Sequence, residues 1–363
     1  MDRVRILGAG PAGLSAAITL AGAGYGVDVF EQREHVGARF GGDFQGLENW
    51  SNETDILDEL RGMGIRTDFE HAPYSDLSVS NGVDMLHFSC RRPAFYLVRR
   101  GPSEGSLDTC LRDQALDAGV DIRFSTRRPE EGADIVATGP VKGGLTALAK
   151  GFTFTTSMEN TAVGIIDRTA SRKGYAYLLA MNGRGCLATV LMDDYHDAGA
   201  CLERAQALFS GMFDLDIRDP VPFGGVGSFR TTVRYRENGR LYVGEAAGLQ
   251  DPMWGFGMRF AVRSGYLAAR SIIDGTDYEQ VAAASFDDLI RAGTVNRYLW
   301  DQYAVKNYTF LFDRLKSVRD PLKHLLSFHS FNVYQRMLYP KARRYLTAHY
   351  EATKGLPSPQ GSQ

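Results

Sequence analysis

The chain has 363 residues, 44% of them hydrophobic and 23% charged, which suits a globular protein of two domains with sizeable cores. A formal net charge of −2 argues against nucleic acid as a main partner. Cys90, Cys110, Cys186 and Cys201 show no CxxC spacing and the seven histidines no ligand spacing, so no metal is expected, and the thiols read as reduced and buried.

The first thirty-one residues read as one βαβ unit. Val4 to Leu7 is a short strand, Gly8-Ala9-Gly10-Pro11-Ala12-Gly13 a glycine turn, Leu14 to Gly24 a small-residue helix, and Val27 to Glu31 a second strand. Gly8 permits the sharp turn, Gly10 lets backbone N–H groups approach a pyrophosphate, and Gly13 lets helix and strand pack closely. The helix N-terminus would face the two phosphate charges, and Glu31 stands where a carboxylate takes a ribose 2′-hydroxyl. No room is left before this strand for a secretory signal, so a cytoplasmic protein is expected.

A glycine-rich loop follows, Gln32 to Asp43, without helical or strand period; such a loop is more often functional than idle. Asp55 to Met63 has helical apolar spacing and stops at Gly64. Residues 66 to 98 alternate polar and apolar, as strands entering another sheet would. Ser106 to Ala118 reads as a helix with Leu107, Leu111 and Leu116 on one side and Gly119 as its stop. Two short strands, Val120 to Phe124 and Ala133 to Ala137, precede Thr138-Gly139-Pro140.

From about 150 to 235 the pattern is that of an antiparallel sheet. Phe152–Thr156, Ala162–Ile166, Gly174–Ala180 and Gly185–Met192 are strand-like, and Asn182-Gly183 marks a hairpin. A helix near 197 to 211 covers them. Gly224-Gly225-Val226-Gly227 reads as a sheet bend and not as a second nucleotide fingerprint. Electrons are therefore expected from outside, from NAD(P)H or a redox protein. The strand Leu241-Tyr242-Val243 then leads into Gly244-Glu245-Ala246-Ala247, a loop through Asp251-Pro252, and a helix from about Gly257. That order presents a carboxylate at a strand end and backbone N–H groups at a helix start. A ribityl chain and the electron-rich N1–C2=O edge of a flavin suit such a site.

The expected class is α/β: a Rossmann-like dinucleotide domain (1–45, 88–140, 236–285), an inserted antiparallel sheet domain (46–87, 141–235), a helical cap (286–350) and a disordered tail (351–363). Residues 291–350 carry eleven Lys or Arg against three Asp, so this segment is +8 and the remainder −10. Its interleaved Tyr, Phe and Trp have two readings, which can both hold: core packing of a cap, or a face offered to lipid phosphates at the inner side of a membrane.

With these motifs, the chain resembles FAD enzymes of the para-hydroxybenzoate hydroxylase fold, and within them the geranylgeranyl reductase family. The resemblance rests on Gly8-x-Gly10-x-x-Gly13 with Glu31 and Arg33; on Tyr96-Leu97-Val98-Arg99-Arg100 ahead of Leu107-Asp108; on Gly244-Glu245-Ala246-Ala247 with Asp251-Pro252 and Gly255-x-Gly257; and on Lys173-Gly174-Tyr175-Ala176-Tyr177. It spans roughly residues 1 to 275. It implies FAD held by Gly8, Gly10, Pro11, Ala12, Gly13, Glu31, Gln32, Arg33, Arg39, Phe40, Gly41, Arg100, Thr138, Gly139, Gly244, Glu245, Ala246, Asp251, Gly255, Phe256, Gly257 and Met258. It further implies hydride transfer from reduced flavin to C=C bonds of an apolar, isoprenoid-like substrate. Asp43, Tyr175, Tyr177 and Asp251 are the candidate catalytic acids.

The chain departs from the pattern at three places. Glu245 replaces the usual Asp, Phe40 stands where archaeal reductases carry a Cys, and Ala137-Thr138-Gly139-Pro140 replaces the hydroxylases' Asp-Gly pair. Two alternatives remain open: an FAD monooxygenase acting on an aromatic or polyketide-like compound, and a flavoprotein that only carries electrons or binds a partner.

Overall fold

Ile6, Val29, Ile135 and Val136 are wholly buried, and a mostly parallel sheet forms around them. The computed structural model describes residues 3–140, 146–227, 229–304 and 308–353. It divides into two units: Met1–His71, Val98–Lys142 and Arg230–Arg291 in the first, Ala72–Leu97, Gly143–Phe229 and Ala292–Gln363 in the second.

In the first unit the strand order is Arg236–Glu237, Arg240–Tyr242, Ile135–Val136, Arg3–Leu7, Gly26–Phe30, Asp121–Arg123. All neighbours are parallel except the first pair. The chain leaves Arg3–Leu7 in one direction to Gly26–Phe30, and its other neighbour, Ile135–Val136, belongs to a later segment. A switch point therefore lies at the C-terminal ends of these central strands, where open α/β sheets bind ligands. Helix Pro11–Gly22 packs closely on helix Met258–Asp274. A Cβ on Gly265 would lie 2.0 Å from the Ala12 carbonyl oxygen, and the buried Ser15 hydroxyl donates to the Val262 carbonyl at 2.8 Å.

The expected boundaries differ from the observed ones. Helix Ile56–Gly62, placed by the sequence in the sheet domain, belongs to the first unit. Its Glu59 carboxylate takes the Arg259 guanidinium Nε at 2.9 Å, and Asn49 donates to the capping Asp55 at 2.8 Å. On helix Leu107–Asp117, capped by the Ser106 hydroxyl, Leu107 and Leu111 are buried, but Leu116 is 47% exposed and Ala115 occupies the inner face instead.

The second unit holds a seven-stranded sheet in the order Arg218–Gly227, Ala147–Thr155, Arg184–Leu191, Tyr175–Met181, Thr161–Ile165, Asp76–Ser80, Met85–Ser89. Met181 pairs with Arg184 around a two-residue turn in which Asn182 (φ 52°) and Gly183 (φ 77°) are both left-handed, the conformation a tight hairpin requires. Gly224 to Gly227 form the end of an edge strand. Helix Ala198–Met212 lays Ala205 and Phe209 on Phe154, Val163, Leu178 and Leu187.

Residues 292–353 form no third unit but cluster with this sheet. The Trp300 indole N–H donates to the Lys173 carbonyl at 2.9 Å, and the Arg297 guanidinium to the same oxygen at 2.7 Å. Glu351 and Ala352 complete helix Val333–Ala352 and the buried Thr353 caps it, so the tail expected to be disordered from 351 is ordered through 353; residues 354–363 lie outside the described residues. No disulfide joins any of the four cysteines. Cys186 and Cys201 are buried as expected, whereas Cys90 and Cys110 are only half-buried. Among the described residues no helix is long and apolar enough to cross a membrane, and no cluster of three or more His, Cys, Asp or Glu could hold a metal.

Candidate cofactor site

Three segments of the first unit meet where the central strands end. Gly8 (φ 99°) follows Leu7, and a Cβ there would lie 2.3 Å from the Ala137 carbonyl oxygen. A Cβ on Gly13 would lie 2.0 Å from the Gly8 carbonyl oxygen and 3.2 Å from the Ala137 side chain. Gly244 (φ 58°) follows the strand Arg240–Tyr242, and its Cβ would touch that of Ala12 at 3.0 Å. The fold itself thus requires glycine at 8 and 13.

Gly10 is different. Its backbone is extended (φ −82°, ψ 177°), open to any residue, and among the described residues no heavy atom beyond its chain neighbours lies within 4 Å of where its Cβ would be. None of the described residues demands glycine there, so the space fits a group that approaches the backbone from outside. Helix Pro11–Gly22 begins at this point, and the Ala12 and Gly13 N–H groups lack intrahelical acceptors. The donor set therefore suits a diphosphate. Glu31 accepts from the Ala9 and Arg33 N–H groups, each at 2.9 Å, which ties the glycine turn to the end of the second strand. A carboxylate has about four acceptor positions, so about two remain for ribose hydroxyls. Gln32 and Arg33 are exposed beside it, as is Thr138, next to the left-handed Gly139 (φ 79°).

Glu245 lies in a one-turn segment, Gly244–Ala247, that ends at the left-handed Gly248. Its carboxylate pairs with the Arg39 guanidinium at 2.7 Å, and the two side chains are 22% and 38% exposed. The longer acid thus reaches the Gln32–Asp43 loop. Asp251 is 4% exposed and accepts from the Met253 and Trp254 N–H groups at 3.1 and 3.0 Å, while its own N–H donates to the Phe256 carbonyl. Its carboxylate therefore builds the turn leading to Gly255, Phe256, Gly257 and Met258. Helix Met258–Asp274 starts there without a side-chain cap, which leaves N–H groups for a flavin carbonyl edge.

Arg100, expected to reach the cofactor, has other partners. It is 5% exposed and forms a two-pronged pair with Asp108, 2.9 Å from each oxygen. It also donates to the Gln45 side-chain oxygen at 2.9 Å and lies 4.2 Å over the Phe40 ring. In this arrangement Arg100 fastens the Phe40 loop to helix Leu107–Asp117. Asp43 is buried beside it and accepts from the Gly41 N–H at 3.2 Å. Burial pushes its carboxyl pKa upward, against the lowering influence of Arg100. A raised pKa and a loop position keep Asp43 a candidate proton donor.

Tyr175 and Tyr177 lie on one strand of the second unit, rings 6.2 Å apart, packed with Val190, Met192 and Phe229. Their environment is a sheet face.

Sequence reasoning missed the buried charges behind the second loop. Arg259, 4% exposed, meets Glu59, donates to the Thr54 carbonyl at 3.1 Å and lies 3.9 Å from Glu48. Its nearest partner in sequence, Glu59, lies 200 positions away, and no local spacing signals such a pairing.

Residues 6–43 match a family model described as an NAD(P)-binding Rossmann-like domain. None of the curated proteins matches the chain in sequence. Among solved structures, the chain is similar to a geranylgeranyl bacteriochlorophyll reductase-like protein of Thermoplasma acidophilum. That likeness has TM-score 0.70 and 15% identity, and covers 96% of this chain and 100% of the other. The flavin-dependent brominase Bmp2 matches with TM-score 0.63, 15% identity, and 96% and 99% coverage. PqsL of Pseudomonas aeruginosa, described as a probable FAD-dependent monooxygenase, matches with TM-score 0.59, 16% identity, and 86% and 100% coverage. The chain has the fold of these proteins, with a Rossmann-like nucleotide domain, an antiparallel sheet and C-terminal helices.

Proposed function

We propose that the protein is an FAD-dependent reductase that saturates C=C bonds of an apolar, isoprenoid-like substrate, with electrons from an external donor such as NAD(P)H or a redox protein. The observation that carries this reading is the cradle in the first unit. The open Gly10, the half-used Glu31 carboxylate and the second loop from Gly244 to Met258 converge on the strand ends. The Gly10 end suits a diphosphate; the Gly257 end suits an electron-rich ring carbonyl. Bound there, a flavin supplies hydride chemistry that no side chain offers.

The residues of this chain have distinct tasks in the proposal. Ala12 and Gly13 N–H groups would hold phosphate oxygens, Glu31 would orient a ribose, and Glu245, which also holds Arg39, would accept from ribityl hydroxyls. Asp43, whose carboxyl is pushed by burial above the ordinary aspartate range, is the candidate to donate a proton from the loop. Full-length likeness to the reductase-like Thermoplasma protein supports a reductase. So does Thr138-Gly139 in place of the hydroxylases' Asp-Gly pair.

The test is anaerobic incubation of FAD-loaded protein, reduced chemically, with a polyprenyl alcohol or its phosphate. The expected product is heavier by two hydrogens for each bond saturated. An unchanged polyprenyl chain, together with an oxygenated product when the protein is run in air with aromatic acids, would replace this reading with the monooxygenase one, which the likeness to PqsL favours. An inert protein that only passes electrons to a partner would make it a carrier.

A further inference from the structure

Helix Val333–Ala352 has two unlike sides. Toward the second unit, Leu338, Tyr339, Ala342 and Tyr345 pack with Val295, Tyr298 and Leu299. Gln335 is buried on the same side and donates to Asn296 at 3.0 Å and to the Phe328 carbonyl at 2.8 Å. The start of the helix is fixed by a reciprocal cap between Asn332 and Gln335.

At 100° per residue, positions 333, 337, 340 and 344 point the opposite way. Val333 is 69% exposed, Tyr334 79% and Met337 75%. Single exposed apolar residues are ordinary, but three large ones within five positions on one turn are not. Cations flank them: Arg336, Lys341, Arg343 and Arg344 are all exposed, and among the described residues no carboxylate pairs with any of the four. Glu351, at the far end, is the one acid in the helix sequence. Phe310 and Phe328, on earlier helices of the same unit, are 60% and 42% exposed.

We infer that the outer side of this helix docks on an anionic lipid surface, with Val333, Tyr334 and Met337 entering the headgroup boundary and the four cations meeting lipid phosphates. An apolar stripe bordered by Lys and Arg is what an interfacial helix needs. Arg336 also donates to the Phe331 carbonyl and Lys341 lies over the Tyr298 ring, but neither contact neutralises charge. A second copy fits less well, because a two-fold contact would set four cations without carboxylate partners against four others. Nucleic acid would leave the valine and methionine facing phosphates.

The test uses the full chain and no substrate, so its result is independent of the proposed reaction. Protein is co-sedimented with phosphatidylcholine vesicles with and without phosphatidylglycerol, at low and high salt. Binding is expected only with phosphatidylglycerol and should weaken as salt rises. The triple variant K341Q/R343Q/R344Q should bind about a hundredfold more weakly, at about fivefold for each cation lost near the surface. Y334S/M337S should lose the binding that survives salt. All five side chains are exposed, so both variants should melt at the wild-type temperature. Absence of wild-type binding to phosphatidylglycerol vesicles at low salt, or undiminished binding of the triple variant, overturns the proposal. So does self-association in sedimentation velocity that M337S abolishes.

Discussion

Gly10→Val separates space left for a ligand from space the fold requires. At φ −82° and ψ 177° the backbone at this position is extended, and it precedes Pro11, which favours the same region. Valine is at ease there, and its Cβ would touch nothing. Losing the flexibility of glycine in the unfolded chain stabilises by about 0.4–1 kcal/mol. Placing an apolar side chain at a helix cap costs about 0.5–1 kcal/mol. The two nearly cancel, so the protein without flavin should melt within about 3 °C of wild type, since roughly 2–4 °C per kcal/mol for chains of about 150–250 residues is an upper bound for a longer one. Flavin at a hundredfold excess over its Kd should stabilise wild type by about 2.7 kcal/mol and leave the variant unmoved, because the isopropyl group occupies the diphosphate path. Gly13→Val is the control. Its Cβ falls 2.0 Å from a backbone oxygen that a tight turn cannot move. That overpacking should cost at least about 1–3 kcal/mol with or without flavin. The assays are differential scanning fluorimetry and flavin stoichiometry by absorbance. A Gly10→Val protein that keeps full flavin, or that loses as much intrinsic stability as Gly13→Val, refutes the placement of the diphosphate.

Further expectations concern the charges around this cradle. Arg259→Met should lower unfolding free energy by about 3–5 kcal/mol, since Glu48 would be left buried without a cation and Glu59 with only Arg263, at 3.7 Å; a loss below about 1 kcal/mol in urea titration contradicts the network. Asp43 has a folded pKa raised by burial. Its contribution is favourable below the unfolded value of about 3.9 and is lost as pH rises through the folded value. Asp43→Asn should therefore raise the melting temperature at neutral pH and confer no advantage below about pH 4; a constant difference across pH would disprove the assignment. Glu245→Asp withdraws the carboxylate by about 1.5 Å and should release Arg39 while keeping flavin. Faster tryptic cleavage after Arg39 at unchanged flavin content is the expected result, and unchanged cleavage rules out the tether.

Much of this arrangement was legible because local patterns agree with the final contacts. The apolar run Ile6-Leu7, the glycine turn and Val27 to Phe30 form the central strands and turn that their spacing implies. Asn182-Gly183 forms its hairpin because both residues tolerate positive φ. What stayed hidden depends on partners distant in sequence. The spacing of Leu107, Leu111 and Leu116 implies one face, but the supporting elements cover Ala115 and leave Leu116 in water. Helix Ile56–Gly62 carries no mark of its unit until Arg259 reaches Glu59. Arg100 matches a cofactor motif, yet Asp108 and Gln45, supplied by tertiary structure, take most of its guanidinium donors.

The seat of Gly265 on Ala12 has a consequence for how the chain is made. The helix that closes the nucleotide unit starts 236 residues after its partner ends, and the strand Arg240–Tyr242 beside Ile135–Val136 is also a late arrival. At about 5–20 residues per second of synthesis, the N-terminal βαβ segment waits roughly 10–50 s with its apolar faces uncovered. The strands between Ala147 and Leu191 can pair meanwhile, because each finds a neighbour within a few dozen residues. Nascent chains arrested before residue 258 should therefore resist protease in the sheet segment and be cut in the first thirty residues. Holdase chaperones would be needed most at this βαβ segment, although it leaves the ribosome before the sheet does.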